Sequence, residues 1–375
     1  MFFYYTFTSS GIMGVPEKIE SIQEELHRTK VNKATEHAVG LLKAKLAKLK
    51  QNVSESHGKT SSISYAVKRS MDATVTLIGL PSVGKSTMLN RLTNAKSKIG
   101  PYHFTTLKVI PGIMNYKGSR IQILDLPGII KGASKGKGLG KKVLSVVRSS
   151  DLVLLVLEVF QPEVLPVLLN ELRNIGIHPD EEPPKIQIEK TGIHGLSVNP
   201  IVRLTKMTPE TVKKVFRIYN IHNARVIIKE DISYDQLISV LLKNHKYIPT
   251  LTVINKIDLV SPNFMRELKS RLPFGYIPIS ADANQNIDIL KEKIYQKLDF
   301  IRVFMRPKGK KTDFEKPMIV QNHASVLDVC NKVHRGMKND LRYTQIWGKS
   351  VKFNGQKVGI THHLMDEDVI TFVTK

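Results

Sequence analysis

Cysteine is nearly missing from this chain of 375 residues. Cys330 stands alone, which excludes an intramolecular disulfide framework and any multi-cysteine zinc cluster and fits a reducing compartment, with the cytoplasm as the default. Long apolar runs are absent too: none approaches the roughly 20 residues needed to span a bilayer, so no membrane partner is expected. The opening MFFYYTFTSSGIMG lacks the basic region and long apolar stretch of a signal peptide, and Met13 offers an alternative start. The 12 histidines are scattered, with only His362 and His363 adjacent and no pair at helical spacing, so no histidine metal site is expected. Acidic residues are scarce: 33 Asp and Glu stand against 57 Lys and Arg, a formal charge of +24 that favours a polyanionic partner. No sequence-reading motif accompanies that charge, and no DNA sequence specificity is expected.

What is present divides the chain. Hydrophobic residues make up 41%, enough for two or three compact domains and little extended disorder. Pro16 suits a first helical turn, and Ile19, Ile22, Leu26, then Ala38, Leu42, Leu46 and Leu49, predict two helices broken near 30–33. Lys43, Lys45, Lys48 and Lys50 form a basic run on the second helix, either a phosphate-facing surface or a solvated face. Residues 52–70 read as a linker. From Ala73, the apolar runs ATVTLI, Ile121–Leu124, Leu152–Leu157 and Leu251–Ile254 alternate with helices and loops, the signature of a mostly parallel α/β sheet. The interval between the last two runs is too long for one crossover helix. An inserted α/β subdomain is therefore expected at 166–242, with a strand around Val198–Leu204, a helix Pro209–Tyr219 and a strand Ala224–Ile228. After a helix Ile287–Leu298, the pattern predicts a small separable β-rich domain with a helix Val326–Val333, in which Trp347 is a packing residue rather than a base-stacking platform. The expected division is 16–66 helical, 71–165 with 243–298 nucleotide-binding, 166–242 inserted, and 299–375 C-terminal.

The chemistry sits at the ends of the predicted strands. Gly79-Leu80-Pro81-Ser82-Val83-Gly84-Lys85-Ser86 is a complete phosphate-binding loop, G-x-x-x-x-G-K-S, after a strand and before a helix. Main-chain N–H groups of the loop from Gly79 through Val83 and Gly84 to Thr87, all but Pro81, would curl around the β-phosphate. Lys85 would reach the β and γ oxygens, and Ser86 would present its hydroxyl to Mg²⁺. Asp125-Leu126-Pro127-Gly128 follows another strand, with Asp125 placed to hold magnesium through water and the Gly128 N–H to meet a γ-phosphate. Asn255-Lys256-Ile257-Asp258 decides the base, because the Asp258 carboxylate accepts from guanine N1–H and the 2-amino group, donors that adenine does not present there. GTP or GDP is the expected ligand. Alone, this stretch also reads as a polar loop with an aspartate capping a helix; its place as the third matched element in order favours the base-reading role. Ser280-Ala281 completes the base pocket, with the Ala281 N–H aimed at guanine O6.

These motifs, together with Tyr102-His103-Phe104-Thr105-Thr106-Leu107, DLPGIIKGASKGKGLG at 125–140, VVRSSDLVLLVL at 146–157 and the segment 340–373, resemble the translation-factor-type GTPases of the Obg superfamily and, more narrowly, the developmentally regulated GTP-binding proteins. The likeness covers nearly the whole chain after Pro16. It implies an N-terminal helical domain, a P-loop GTPase domain with an inserted α/β subdomain, and a C-terminal TGS domain with a β-grasp fold. It also makes Thr106 the switch I threonine that reaches Mg²⁺ in the GTP state, with Thr105 as runner-up, and makes Gly132, Gly136, Gly138 and Gly140 part of switch II. Lys85, Thr106 and Gly128 are then the expected catalytic groups. Ile129 stands where Ras-like enzymes have a water-positioning glutamine, so slow intrinsic hydrolysis is expected. Ser82 stands where potassium-using relatives have asparagine, which counts against K⁺ activation without excluding it.

Two function classes follow. The resemblance implies a GTPase acting with ribosomes or structured RNA in translation, which the +24 charge independently permits. Arg302, Arg306, Lys308, Lys310 and Lys311 would form an RNA-facing rim, or else ordinary surface charge. The alternative is a GTP-regulated interaction module whose main effector is a dedicated protein partner, of the kind relatives bind.

Overall fold

The computed structural model describes residues 14–30, 32, 35–56, 71–93, 110–126, 146–193, 195–243, 245–307, 309, 311–334 and 336–374. The chain divides into two compact units, Met1–Ser64 with Glu182–Lys246 and Tyr65–Glu181 with Tyr247–Lys375. The larger is built on a six-stranded sheet in the order Ile277–Pro278, Thr250–Asn255, Leu152–Glu158, Ala73–Ile78, Ser119–Asp125, Ile110–Tyr116. Neighbours are parallel except the last two strands, which form an antiparallel hairpin.

Burial on both faces explains the uninterrupted apolar runs. Ala73–Ile78 is buried at every position, and the side chains of Leu152–Leu157 alternate between two cores, as the period of a strand requires. Val153, Leu155 and Leu157 meet the helix Leu165–Asn174 on one face. Leu152, Leu154 and Val156 share the other core with the helices Lys85–Leu92 and Ile287–Lys297. The helix Leu165–Asn174, which the sequence division gives to the insert, thus buries Leu165, Leu168 and Leu172 under the parallel sheet. The strands Ala73–Ile78, Ser119–Asp125 and Thr250–Asn255 all run the same way, so their C-terminal ends bring Gly79, Asp125 and Asn255 to one edge, where open parallel sheets bind ligands.

The C-terminal module has a five-stranded mixed sheet, ordered Met318–Gln321, Phe300–Met305, Val369–Thr374, Leu341–Trp347, Gln356–Val358. Its central pair is parallel and the others antiparallel, and the helix Val326–Val333 packs Val326, Val329 and Cys330 against Val303, Ile346 and Ile370, a β-grasp arrangement. Ser325 and Asp328 cap that helix reciprocally. Burial pushes the Cys330 thiol up, which keeps it an inert core group.

Among the described residues this module meets the parallel-sheet domain at two places, through Lys332 and through Phe300 and Pro317. Lys332 reaches Asp72 at 2.9 Å. At the second, the tip of the Ile110–Tyr116/Ser119–Asp125 hairpin meets the helix Ile287–Lys297: the Lys117 ammonium lies 2.7 Å from Glu292, and the Tyr116 hydroxyl donates to the same carboxylate at 2.7 Å. Tyr116, Tyr295 and Phe300 stack edge to face at successive centroid distances of 5.9 and 5.9 Å. Gly118, at φ +78°, completes the turn so close to Pro317 that an added Cβ would lie 2.9 Å from its ring. Two members of the expected basic rim are already engaged. Arg302 pairs with Asp366 at 2.7 Å and Glu367 at 2.9 Å, and Arg306 lies 4.9 Å over the half-buried Trp347 ring. Lys311 is exposed, while Lys308 and Lys310 fall outside the described residues.

In the smaller unit, Ala224–Ile228 is flanked by Ile186–Lys190, antiparallel, and Leu196–Pro200, parallel. The helices Pro209–Ile218 and Tyr234–Leu242 supply Val212, Val215, Phe216, Leu237 and Ile238 to the core, and the helix Glu36–Ser56 adds Leu41, Ala44 and Ala47 to it. The N-terminal helix and the insert therefore share one core. Lys43 pairs with Asp235 at 3.0 Å and Lys48 donates to the Ile218 carbonyl, so half of the basic run serves this docking; Lys45 and Lys50 are exposed.

Two expected outcomes follow from these contacts. A Cβ at Gly40 would lie 2.3 Å from the Tyr234 ring. Alanine ordinarily favours a helix over glycine by about 1 kcal/mol, but here overpacking reverses the sign. Gly40→Ala is expected to lower stability by about 1–3 kcal/mol, read as a reduced urea midpoint. The second outcome concerns acid. The Glu292 carboxyl is pushed down to about 2, first by its hydrogen bond with Lys117 and then by that with Tyr116. A depressed folded-state value means the contribution is complete above the ordinary value of 4.5 and is lost as pH falls toward 2. In stability curves measured down through this window, Glu292→Gln should flatten the acid limb relative to the parent.

Candidate nucleotide site

The strand Ala73–Ile78 delivers Gly79 against the neighbouring strand, where an added Cβ would lie 2.3 Å from the Val156 carbonyl oxygen. Pro81 and Ser82 are exposed on the loop, while Val83 is anchored in the core beneath it. Ser82 and Gly84 both take left-handed backbone, φ 64° and 89°, which bends the loop around a concavity lined by main-chain groups. The helix Lys85–Leu92 begins at once, and its N-cap is Gly84, without a side-chain cap. The first-turn N–H groups of Lys85, Ser86 and Thr87 thus have no acceptor within the helix and face the position an anion would take.

Lys85 is 7% exposed and arches back over the loop, its ammonium donating to the carbonyls of Leu80 at 2.7 Å and Gly79 at 3.2 Å. Burial lowers its pKa, with Asp125 opposing the shift. Ser86 Oγ donates to Asp125 Oδ2 at 2.5 Å, and Asp125 Oδ1 is buried without a hydrogen-bond partner among the described residues. A hydroxyl beside a buried carboxylate with one unmatched oxygen is an all-oxygen donor set that suits Mg²⁺ over softer metals.

The base side is organised by Asn255. Its carboxamide donates to the Val83 carbonyl at 2.8 Å and accepts from the Ala281 N–H at 3.0 Å. The Ala281 N–H that the sequence aims at guanine O6 is therefore engaged by the buried amide oxygen. Lys256, at φ 68°, sends its ammonium 2.9 Å from Glu158, and Asp258 lies exposed in the short 3-10 turn Ile257–Leu259. Ser280 Oγ accepts from the Ala283 N–H at 3.0 Å, tightening the loop. Thr106, its neighbour Thr105, Gly128, Ile129 and the glycines at 132–140 lie outside the described residues. The structure adds two residues that motif reading passed over: Glu158, the Lys256 partner, and Arg91, which donates to the carbonyls of Ala281 and Asp282. Carbonyl acceptors carry no side-chain signature, so no local pattern announces the second.

A phosphate loop at the edge of a parallel sheet, a serine–aspartate pair beneath it and an Asn-Lys-x-Asp loop beside it define a P-loop GTPase. Residues 74–190 match the model described as 50S ribosome-binding GTPase, 193–300 the C-terminal region of that domain, and 301–374 the TGS domain. The chain is 49% identical over 367 residues to a GTP-binding protein of Methanocaldococcus jannaschii, covering 97% of this chain and 94% of that one. It is 41% identical over 366 residues to developmentally-regulated GTP-binding protein 2 of Homo sapiens, covering 97% and 100%. It is 40% identical over 372 residues to the developmentally-regulated GTP-binding protein 1 homolog of Dictyostelium discoideum, again 97% and 100%. The chain belongs to the developmentally regulated GTP-binding protein family, Obg-superfamily GTPases with a TGS domain, and is a GTP-binding, GTP-hydrolysing protein.

Gly84 is the most exacting position in the site. A Cβ there would lie 2.2 Å from Asn255 Nδ2 on a left-handed backbone. Strain of about 1–3 kcal/mol, added to the loss of a buried amide contact of about 1–3 kcal/mol, sets the expected cost. Gly84→Ala should weaken GDP binding by roughly a hundredfold or more in calorimetric titration while the C-terminal module stays folded.

Proposed function

We propose that this GTPase is a slow molecular switch acting with ribosomes or structured RNA in translation, with magnesium as its metal and the cytoplasm as its compartment. The observation that carries the nucleotide chemistry is the unmatched Asp125 Oδ1 beside the Ser86 hydroxyl. Ser86 and Asp125, the latter through water, would hold Mg²⁺ together with Thr106, and the bound ion would neutralise charge on the β and γ oxygens. Lys85 supplies a second positive charge from the loop side, and the Gly128 N–H a hydrogen bond to the γ-phosphate. The Asp258 carboxylate selects guanine by accepting from the base's N1–H and 2-amino group. Water attacks the γ-phosphorus in line as the bond to the β–γ bridging oxygen breaks. The Ile129 side chain brings neither donor nor acceptor to orient that water, so a low intrinsic rate is expected. Ser82 in the phosphate loop argues against potassium as an activator.

The ribosomal reading is supported by the net charge of +24 and by the family description of a 50S ribosome-binding GTPase. A dedicated protein effector is the competing reading. Co-sedimentation with ribosomes and separated subunits, in GDP and in a non-hydrolysable GTP analogue at physiological salt, separates the two. Saturable binding that favours the analogue and disappears in Lys85→Ala is expected. Nucleotide-blind association that vanishes as salt rises would count against it, because charge alone produces that behaviour. Chelation tests the metal: EDTA should speed GDP release from the parent by about tenfold or more, and Asp125→Asn should lose most of that difference.

A further inference from the structure

Ala281 is gripped from both sides. Its N–H is held by Asn255, as described, and its carbonyl accepts from Arg91 Nε at 2.9 Å. The same guanidinium reaches the next carbonyl, that of Asp282, through Nη2 at 2.9 Å. Arg91 lies on the last turn of the helix Lys85–Leu92, the helix whose first turn carries Lys85 and Ser86. Two donors fixed in one plane match two successive carbonyls, a geometry that a flexible ammonium does not reproduce. Because the acceptors are main-chain atoms, the contact fixes where the loop lies whatever side chains it carries.

We infer that Arg91 is a positioning residue that sets the lifetime of the bound nucleotide by clamping the base loop to the phosphate-loop helix. The inference rests on the reading that Ser280 and Ala281 border the base. Guanine then sits between a loop pinned through Asn255 and Arg91 and the Asp258 carboxylate, and leaves when the loop separates from the phosphate-loop helix. Arg91 is exposed, so its bonds exchange with water more readily than the buried ones of Asn255. It is therefore the releasable half of the clamp. The γ-phosphate side lies at the other end of the same helix, so the effect falls on release and not on the chemical step.

The test uses the full chain with Arg91→Ala and Arg91→Lys, measuring dissociation of a fluorescent GDP chased by excess GDP, single-turnover hydrolysis of prebound GTP, and the melting temperature without nucleotide. Losing two charge-assisted hydrogen bonds should speed GDP dissociation by about tenfold or more in Arg91→Ala, with an intermediate rate in Arg91→Lys and hydrolysis within about twofold of the parent. GDP dissociation at the parent rate would overturn the inference. So would hydrolysis falling by the same factor, or a drop in melting temperature that Arg91→Lys fails to restore, since either marks a general stabiliser. Asp258→Asn serves as the control: its amide should donate to the 2-oxo group of xanthine and shift preference toward xanthosine diphosphate. If that shift fails, the base-pocket reading falls and takes the inference with it. If it succeeds while Arg91→Ala is silent, the inference alone falls.

Discussion

The carboxamide of Asn255 is 2% exposed and joins two loops far apart in sequence, giving its N–H to Val83 and taking that of Ala281. An amide buried this deeply leaves little choice, since each unmet hydrogen bond there costs about 1–3 kcal/mol. The neighbouring geometry follows from that demand. Gly84 must be glycine because the amide occupies the space of its side chain. Lys256 must turn left-handed directly after Asn255, and the turn directs its ammonium to Glu158 at the end of the adjacent strand. The phosphate loop and the base loop are thereby one object before any ligand arrives, which is the preorganisation that tight nucleotide binding requires.

The same economy appears in the sheet below. Leu152–Glu158 pairs with Ala73–Ile78 on one side and Thr250–Asn255 on the other, in parallel register throughout. A central strand buried on both faces cannot tolerate a polar side chain without a partner, and of the buried hydroxyls nearby, Thr76 and Ser150 hydrogen-bond each other while Thr250 bonds Asp180. The motif residues come at or one step past the ends of these strands: Asp125 and Asn255 close theirs, and Gly79 follows Ile78.

Much of this was legible in the sequence because it depends on neighbours along the chain. Continuous apolar runs marked the doubly buried strands, and the phosphate loop declared itself by glycines whose need is local. Contacts between distant segments left no such mark. Lys43 and Arg302 read as free cations until Asp235 and Asp366 were seen beside them. Leu165–Asn174 carries an apolar stripe that would suit either the insert or the sheet, and tertiary packing alone decides for the sheet. The strand expected at Val198–Leu204 lies at Leu196–Pro200, because Leu196 and Val198 face inward and Pro200, lacking an N–H, suits the end of the ladder.

The hairpin Ile110–Tyr116/Ser119–Asp125 has a mechanical character of its own. One end of its ladder sets Ile110 opposite Asp125 at the nucleotide edge, and the other sets Tyr116 opposite Ser119 beneath the turn that rests on Glu292, Tyr295 and Pro317. A slip by one residue would send buried Met114 outward and exposed Asn115 inward, so one strand moves past the other only in two-residue steps of roughly 7 Å. Smaller displacements leave the ladder intact. The hairpin is therefore a stiff strut, with one end at the nucleotide edge and the other beneath a turn that lies against Pro317 of the C-terminal module.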